Sequence, residues 1–390
     1  MFRVMRFDAS LFWHPFVPTP WPAQVAENRE YAQALEQLGF TTAWSCEHHL
    51  WHDRNWACTP NSILTSLDVA NHTTNLRVGQ SPVSIVDRHP IHVAEDIAVL
   101  DNMTEGRVDF GAARGFNVRW GAQFNPDADR RDDHTNRALF EESLEIILRA
   151  WTEEAFSYSG RFYTLPVPGW KEADPSVKIE APYYSAAGEL VAINVLPKPY
   201  QTPYPPVWLM VGSNQSWAFA GARGVGALGG ARSPAAIGEA VSYYRNAAAE
   251  LQGTHVTPGH NVGVQFVTYC AKTMEEAIGD VRDGINRHFG PSEAGRQALE
   301  ARRRSVVGSR TITADDLNME PFDFELKHGS LMVGTPDDVA ERIARFREEA
   351  RLENFQLFPS IPGVSFAKAM RSLELFGTEV IPRFSGIPVA

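Results

Sequence analysis

The chain alternates between short apolar runs and longer segments whose apolar residues recur at helical spacing. Met5 to Phe12 reads as a first strand, and Pro22 to Leu38 follows with a helical period, proline near its start and Gly39 as its stop. Phe40 to Cys46, Asn75 to Val83 and Arg107 to Ala112 read as the next strands, separated by helices over Pro60 to His72 and Pro90 to Met103. A helix is expected over Arg137 to Trp151, with Asn136 as its cap. The rhythm then breaks. From Phe156 to Tyr204 the chain is rich in proline, glycine and aromatics, with alternating pieces at 156–158, 161–163 and 191–195, so the stretch at about 152–204 reads as an insertion containing short strands or a hairpin.

Alternation resumes with strands over Pro206 to Val211, Val225 to Leu228 and Asn261 to Tyr269, and with helices through Arg223, over Pro234 to Leu251 and over Lys272 to Phe289. Residues at about 291–334 form a second, charged excursion, partly helical around Arg296 to Arg304. Thr335-Pro336-Asp337-Asp338 is a strong helix start, and Asn354 to Phe358 and Ser365 to Phe376 close the series. Eight strands alternating with helices specify a parallel sheet, either an open doubly wound one or a closed (β/α)8 TIM barrel. Strand count and length favour the barrel, as one domain over residues 1–390 carrying two insertions.

Composition narrows the partners. The chain has 390 residues and is 44% hydrophobic, enough for a large core. Thirty-six Lys and Arg against 47 Asp and Glu give a net charge of -11, which disfavours nucleic acid and anionic membrane. Three cysteines without paired spacing suggest neither zinc nor a disulfide framework. No apolar run is long enough to span a bilayer and the amino terminus lacks a secretory pattern, so a cytoplasmic protein is expected.

Candidate chemistry falls at strand ends. Glu47-His48-His49 follows the second strand, where an imidazole can move a proton near neutral pH. His52 and Asp53 are close, but no His-Glu-x-x-His pattern or third ligand supports a metal. Arg114 emerges from the fourth strand among small residues, suited to a phosphate or carboxylate, or to a structural salt bridge. Gly212-Ser213-Asn214-Gln215-Ser216 runs from a strand into a helix start. It serves either as capping or, with Arg114, as a phosphate clamp. Gly224 to Gly229 matches G-x-G-x-x-G but follows a helix and spells a strand, so it is not a dinucleotide fingerprint. Trp13, His14, Trp51, Phe116 and Trp120 are candidates for an apolar substrate pocket or for ordinary core.

Glu47-His48-His49, Arg88-His89-Pro90 to Leu100-Asp101, Gly106-Arg107 to Arg114-Gly115, and Gly212-Ser213 to Arg223-Gly224 resemble the bacterial luciferase-like family of flavin-dependent monooxygenases, in order, over most of residues 5–230. The resemblance implies a barrel that takes reduced FMN as cosubstrate, reacts it with O2 through a flavin peroxide, and oxygenates a small organic substrate. Carried over by position, His48 is the active-site histidine, Arg114 the flavin-phosphate arginine, and Ser213 and Ser216 phosphate-binding hydroxyls. Ser81-Pro82 falls where the family often has a cis peptide beside the flavin ring. Ala113 replaces the thiol of the luciferase α subunit, which argues against light emission. A separate NAD(P)H-dependent flavin reductase is implied, since no nicotinamide motif is present, and so is a homodimer. The alternatives are an F420-dependent oxidoreductase on the same barrel and a non-catalytic flavin-binding protein.

Overall fold

The computed structural model describes residues 5–15, 17–50, 59–115, 118–251, 261–289 and 314–385. The expected helix at Arg296 to Arg304, the candidate pocket residues Trp51 and Phe116, and the pair His52 and Asp53 lie outside them. Twelve strands are seen among the described residues, of which eight make the barrel: β1 (Arg6–Ser10), β2 (Thr42–Ser45), β3 (Arg77–Gln80), β5 (Val108–Ala113), β8 (Val207–Val211), β9 (Gly226–Gly230), β10 (Val262–Cys270) and β12 (Asn354–Phe358). They are hydrogen-bonded in the order β10-β12-β1-β2-β3-β5-β8-β9, and β9 pairs back onto β10. This is the expected (β/α)8 TIM barrel, closed so that no barrel edge is left unpaired.

Four short strands lie off the ring. β4 (Val83–Ser84) pairs with β5, β6 (Tyr158–Ser159) pairs antiparallel with β7 (Thr164–Leu165), and β11 (Leu331–Gly334) runs beside the second half of β10. The short strands or hairpin expected at 156–163 are present as the β6–β7 pair, displaced by a few residues. The pattern reading missed β11, four apolar residues directly before the Thr335 cap, because so short a run has no period to detect.

Contacts divide the chain into two compact units, residues 1–81 with 207–390, and residues 82–206. In the first, Trp44 and Trp208 meet edge to face with centroids 6.1 Å apart and pack with Leu228 and Met210. Two strand glycines make room for them. A Cβ on Gly79 would come within 2.5 Å of the Trp44 ring, and one on Gly226 within 2.5 Å of the Trp208 ring. Gly226 of the G-x-G-x-x-G string is therefore a packing glycine in β9, as its place in a strand required. Below the indoles the interior is polar. Asp8 is buried, accepts from Trp44 Nε1 at 3.0 Å and pairs with Arg6 at 2.9 Å, while Gln265 and Gln356 both donate to Ser10 Oγ.

Among the described residues the helices of this unit are α1 (Trp21–Gln37), α2 (Ser62–Asn71), α6 (Asn214–Gly221), α7 (Pro234–Ala249), α8 (Met274–Phe289) and four later ones. Gly39 follows α1 at φ +82°, the left-handed stop expected of it. The predicted cap at Thr335 is complete: its hydroxyl accepts from Asp338 N, and the Asp338 carboxylate accepts from Thr335 N at 3.0 Å.

The second unit holds α3 (Pro90–Met103), α4 (Val118–Phe124), α5 (Asp133–Thr152) and the insertion. Trp151 anchors it, donating from Nε1 to the Ala94 carbonyl at 2.9 Å and meeting Phe110 edge-on. The insertion is tied down by carboxylates. Glu142, buried on α5, accepts from the backbone N–H groups of Arg161, Phe162 and Tyr163 at 2.9, 3.0 and 2.8 Å. Asp101, fully buried on α3, accepts from Gln201 N and Nε2 at 2.8 and 2.7 Å. Helix α5 starts four residues earlier than the sequence suggested, with Asp132 as its cap, since that carboxylate takes the Thr135 amide and leaves Asn136 inside the helix.

Candidate active site

His48, Ser81, Arg114 and Ser213 lie just past the carboxyl ends of β2, β3, β5 and β8, where a barrel carries its chemistry, and Ser216 follows in the first turn of α6. His48 follows β2. Its Nε2 stands 3.8 Å from the Cys46 sulfur. Burial presses the imidazole toward its neutral form, but the charge and hydrogen bond of Cys46, and then the charge of Glu47, outweigh this and hold its pKa above the ordinary value. Glu47 itself turns inward. It is buried, accepts from His49 Nε2 at 3.1 Å, and takes the backbone amide and hydroxyl of Ser62 at 3.2 and 2.8 Å. The two histidines therefore differ: His49 is locked to a structural carboxylate at the start of α2, and His48 pairs with a thiol.

Ser81 follows β3, is buried, and donates from Oγ to the Met210 sulfur at 3.6 Å. The expected cis bond at Ser81-Pro82 is not found. Among the described residues the cis bonds all precede prolines between residues 166 and 203, and Ser81-Pro82 is not one of them. Pro82 passes between β3 and β4 in the trans form, which an X-Pro bond favours by roughly 0.5–1 kcal/mol when nothing forces the alternative.

Ser213 caps α6. Its hydroxyl accepts from Ser216 N at 3.3 Å, while Ser216 Oγ accepts from the amides of Gly212 and Ser213 at 3.1 and 3.0 Å and donates to the Ser213 carbonyl at 2.7 Å. The capping function is thus real, and as at any helix start the first helical amides, those of Asn214 and Gln215, have no acceptor within the helix. Arg232, two residues beyond β9, donates to the carbonyl of Gly212 and brings a cation to the same corner. Ser81, Ser213, Ser216 and Arg232 thus share the first unit with His48.

Arg114 stands in the second unit, one residue past β5. Its Nη1 donates to Asp133 at 2.9 Å and to Asn136 Oδ1 at 3.4 Å, and Asn136 Nδ2 returns a bond to the Arg114 carbonyl at 3.2 Å. A salt bridge is present, then, but it is heavily outnumbered. Arg137 Nη2 lies 3.6 Å from the same Asp133 carboxylate, and Arg130 donates to the Gly115 carbonyl at 3.1 Å. Burial, and next the charges of Arg114 and Arg137, push the Arg130 guanidinium below its ordinary pKa despite Asp133. Three guanidiniums around one carboxylate leave an excess of positive charge, which suits an anion.

Sequence reasoning missed Arg130, Arg137 and Arg232. The Arg130-Arg131-Asp132-Asp133 run reads as solvated surface charge, and only the return of the chain to Gly115 shows that Arg130 faces inward. Of the pocket candidates, Trp13 and Trp120 are buried, and His14 is paired with Glu27 at 2.7 Å. Among the described residues no three His, Cys, Asp or Glu side chains gather as a metal site, and no helix is long and apolar enough to cross a membrane.

Known proteins share this architecture and, more distantly, this sequence. The oxygenase component of the flavin-dependent trigonelline monooxygenase of Acinetobacter baylyi is 23% identical over 359 residues, 91% of this chain and 89% of that one. The oxygenating constituent of 3,6-diketocamphane monooxygenase from Pseudomonas putida, a type II Baeyer-Villiger monooxygenase in complex with FMN, superposes with a TM-score of 0.75 at 20% identity. It covers 99% of this chain and 100% of its own. The coenzyme F420-dependent tetrahydromethanopterin reductase of Methanopyrus kandleri gives 0.64 at 18% identity, over 98% and 100% of the two chains. A family model, that of the luciferase-like monooxygenases, matches residues 5–353, and the chain belongs to that family.

Proposed function

We propose that this protein is the oxygenase of a two-component FMN-dependent monooxygenase, using reduced FMN supplied by a separate NAD(P)H-dependent reductase and one atom of O2 to oxygenate a small organic substrate. The observation that carries the reading is the cluster of guanidiniums at Asp133, which pairs with Arg114 and Arg137 while Arg130, bonded to the Gly115 carbonyl, feels the charges of all three. A structural salt bridge needs one arginine; a phosphate monoester needs the surplus. Arg114, on its charge, and the α6 start with Ser213 and Ser216, on its helix amides, are separate candidates for the flavin phosphate, one in each unit. Bound reduced flavin would supply the two electrons that O2 requires.

The chain's own residues do the rest. Ser81 is assigned beside the flavin ring, held by Met210 and by its amide bond to the Ser45 carbonyl at 2.7 Å. His48, whose pKa Cys46 and then Glu47 raise against the effect of burial, is assigned to hold a proton at Nε2 or to deliver it from there to an oxygen that is gaining charge. The trigonelline enzyme's description as an oxygenase component supports a partner reductase here. A homodimer in the cytoplasm belongs to the same reading. The experiment is anaerobic titration with reduced FMN, followed by 18O2 and candidate substrates. Binding and transfer of one labelled oxygen to product are expected.

A second reading is favoured by the likeness to the F420-dependent reductase: hydride transfer to or from a deazaflavin, without a role for O2. Tight binding of reduced F420, with FMN ignored, would establish it in place of the first.

A further inference from the structure

The residue that follows β2 is a cysteine, and the fold sets it against the imidazole two positions on. The chain stays extended past Ser45, because Glu47 bridges to Thr59 and the His48 amide donates to the Thr59 carbonyl at 3.1 Å. Extended backbone sends alternate side chains to opposite sides. Glu47 turns in toward His49 and Ser62, and Cys46 and His48 take the other side, with Sγ 3.8 Å from Nε2. Cys46 and His48 are both only partly buried.

The pairing acts on both partners. Burial lowers the His48 pKa, and the charge and hydrogen bond of Cys46, then the charge of Glu47, more than reverse this. An attraction of charge between imidazolium and sulfur requires an ionised sulfur, and it favours the thiolate by as much as it favours the imidazolium. Cys270 is the contrast. It is 2% exposed, and burial, followed by the charges of Glu379 and Asp338, pushes its thiol up to about 12. Of the two described cysteines, neither of them in a disulfide, one is sealed in as an inert thiol and the other is partly exposed beside a cation. The second setting is that of an oxidisable sulfur.

We propose that Cys46 is a modification site, which hydrogen peroxide oxidises to a sulfenic acid, and that this unpairs His48 until a thiol reductant restores the sulfur. The thiolate attacks one oxygen of the peroxide, an S–O bond forms, the O–O bond breaks, and the departing hydroxide is protonated to water. Sulfur loses two electrons and the peroxide gains them. The product presents no sulfur anion to Nε2, so His48 loses the group that does most to hold its proton. The proposal rests on the monooxygenase reading only for its consequence: reduced flavin that meets O2 without substrate yields hydrogen peroxide, and oxidation of Cys46 then slows the turnover that made it. The modification itself needs neither flavin nor substrate.

The test oxidises the flavin-free full chain with hydrogen peroxide at about pH 6 in the presence of dimedone, which traps sulfenic acids, and locates the adduct by peptide mass spectrometry. An ordinary thiol, with a pKa of about 8.5, is almost wholly protonated there, whereas a sulfur paired with imidazolium is ionised. Cys46 should be labelled at least tenfold faster than N-acetylcysteine under the same conditions, and at least tenfold faster than the same residue in His48→Asn. Without dimedone, the Cε1 proton of His48 in the oxidised chain should titrate at lower pH than before, and dithiothreitol should return it to its first midpoint. If His48→Asn does not fold, the comparison with N-acetylcysteine and the imidazole titration decide on the wild type alone. No adduct at Cys46, labelling no faster than that of N-acetylcysteine or of His48→Asn, or a His48 titration unmoved by oxidation would overturn the proposal. Measuring FMN binding on the same preparation separates the two readings: absence of FMN binding with Cys46 oxidation intact removes the monooxygenase reading and leaves this one standing, and the reverse result removes only this one.

Discussion

Arg114 and Asp133 face each other at 2.9 Å, and the same carboxylate is shared with Arg137 at 3.6 Å. The Asp133 side chain is 60% exposed and that of Arg114 only 19%, so the acid is the partner that water can replace. Arg114→Ala should weaken reduced FMN by about 1.5–3 kcal/mol, the worth of a charge-assisted hydrogen bond. Asp133→Asn, which removes the competitor for the guanidiniums, should tighten it. Isothermal titration under anaerobic conditions reads both. Affinity unchanged in Arg114→Ala would return that arginine to a purely structural role.

Ser213 has two duties that can be separated by substitution. Ser213→Ala removes the cap of α6 and should cost about 1 kcal/mol of stability along with flavin affinity. Ser213→Asp keeps an equally good cap and sets a negative charge where the phosphate is assigned. Its thermal midpoint should stay near that of the wild type while FMN binding collapses. If Ser213→Asp binds FMN normally, the phosphate does not lie at this helix.

His48 supplies a pH prediction. With its pKa in the folded chain raised above the ordinary value of about 6.5, the stabilisation contributed by the charged imidazole is fully present below that pH and is lost as pH rises through the folded value. The stability difference between wild type and His48→Asn should shrink on going alkaline, and the imidazole Cε1 proton should titrate above pH 6.5 in NMR. Cys46→Ala should move that titration down, because the sulfur is the nearest group holding the proton. A midpoint below that of a free histidine would contradict the pairing.

Glu142 accepts three consecutive amides of the 161–163 turn. Glu142→Ala leaves those donors without their acceptor and should destabilise the protein by about 2–4 kcal/mol in chemical denaturation. Hydrogen exchange at 161–163 should rise with it. Unchanged protection there would show that the turn is held by other contacts.

The barrel was legible because its units repeat. Each of the eight ring strands falls on or beside an apolar run, and the Gly39 stop and the Thr335 cap operate as their residue types require. What escaped was set by contacts between distant residues. β11 is too short to carry a period, and Asn136 is drawn inside α5 by its bonds to the Arg114 and Ala128 carbonyls. Arg130 and Arg232 become informative only when the fold carries them to Gly115 and Gly212. The Ser81-Pro82 expectation came from family likeness, and the local path from β3 to β4 does not require the cis form. For His48, position at a strand end was readable, whereas its thiol partner two residues away was not, because alternation along an extended strand says nothing about how the chain turns after it.

The central claim is that the chain binds reduced FMN through its phosphate, and the most direct measurement compares reduced FMN with reduced riboflavin, which has the same ring and no phosphate. Anaerobic equilibrium titration of the full chain with each should give FMN the tighter binding by about 1.5–3 kcal/mol or more, with the advantage diminished in Arg114→Ala. Equal affinity for the two flavins, or binding of neither, would contradict the account.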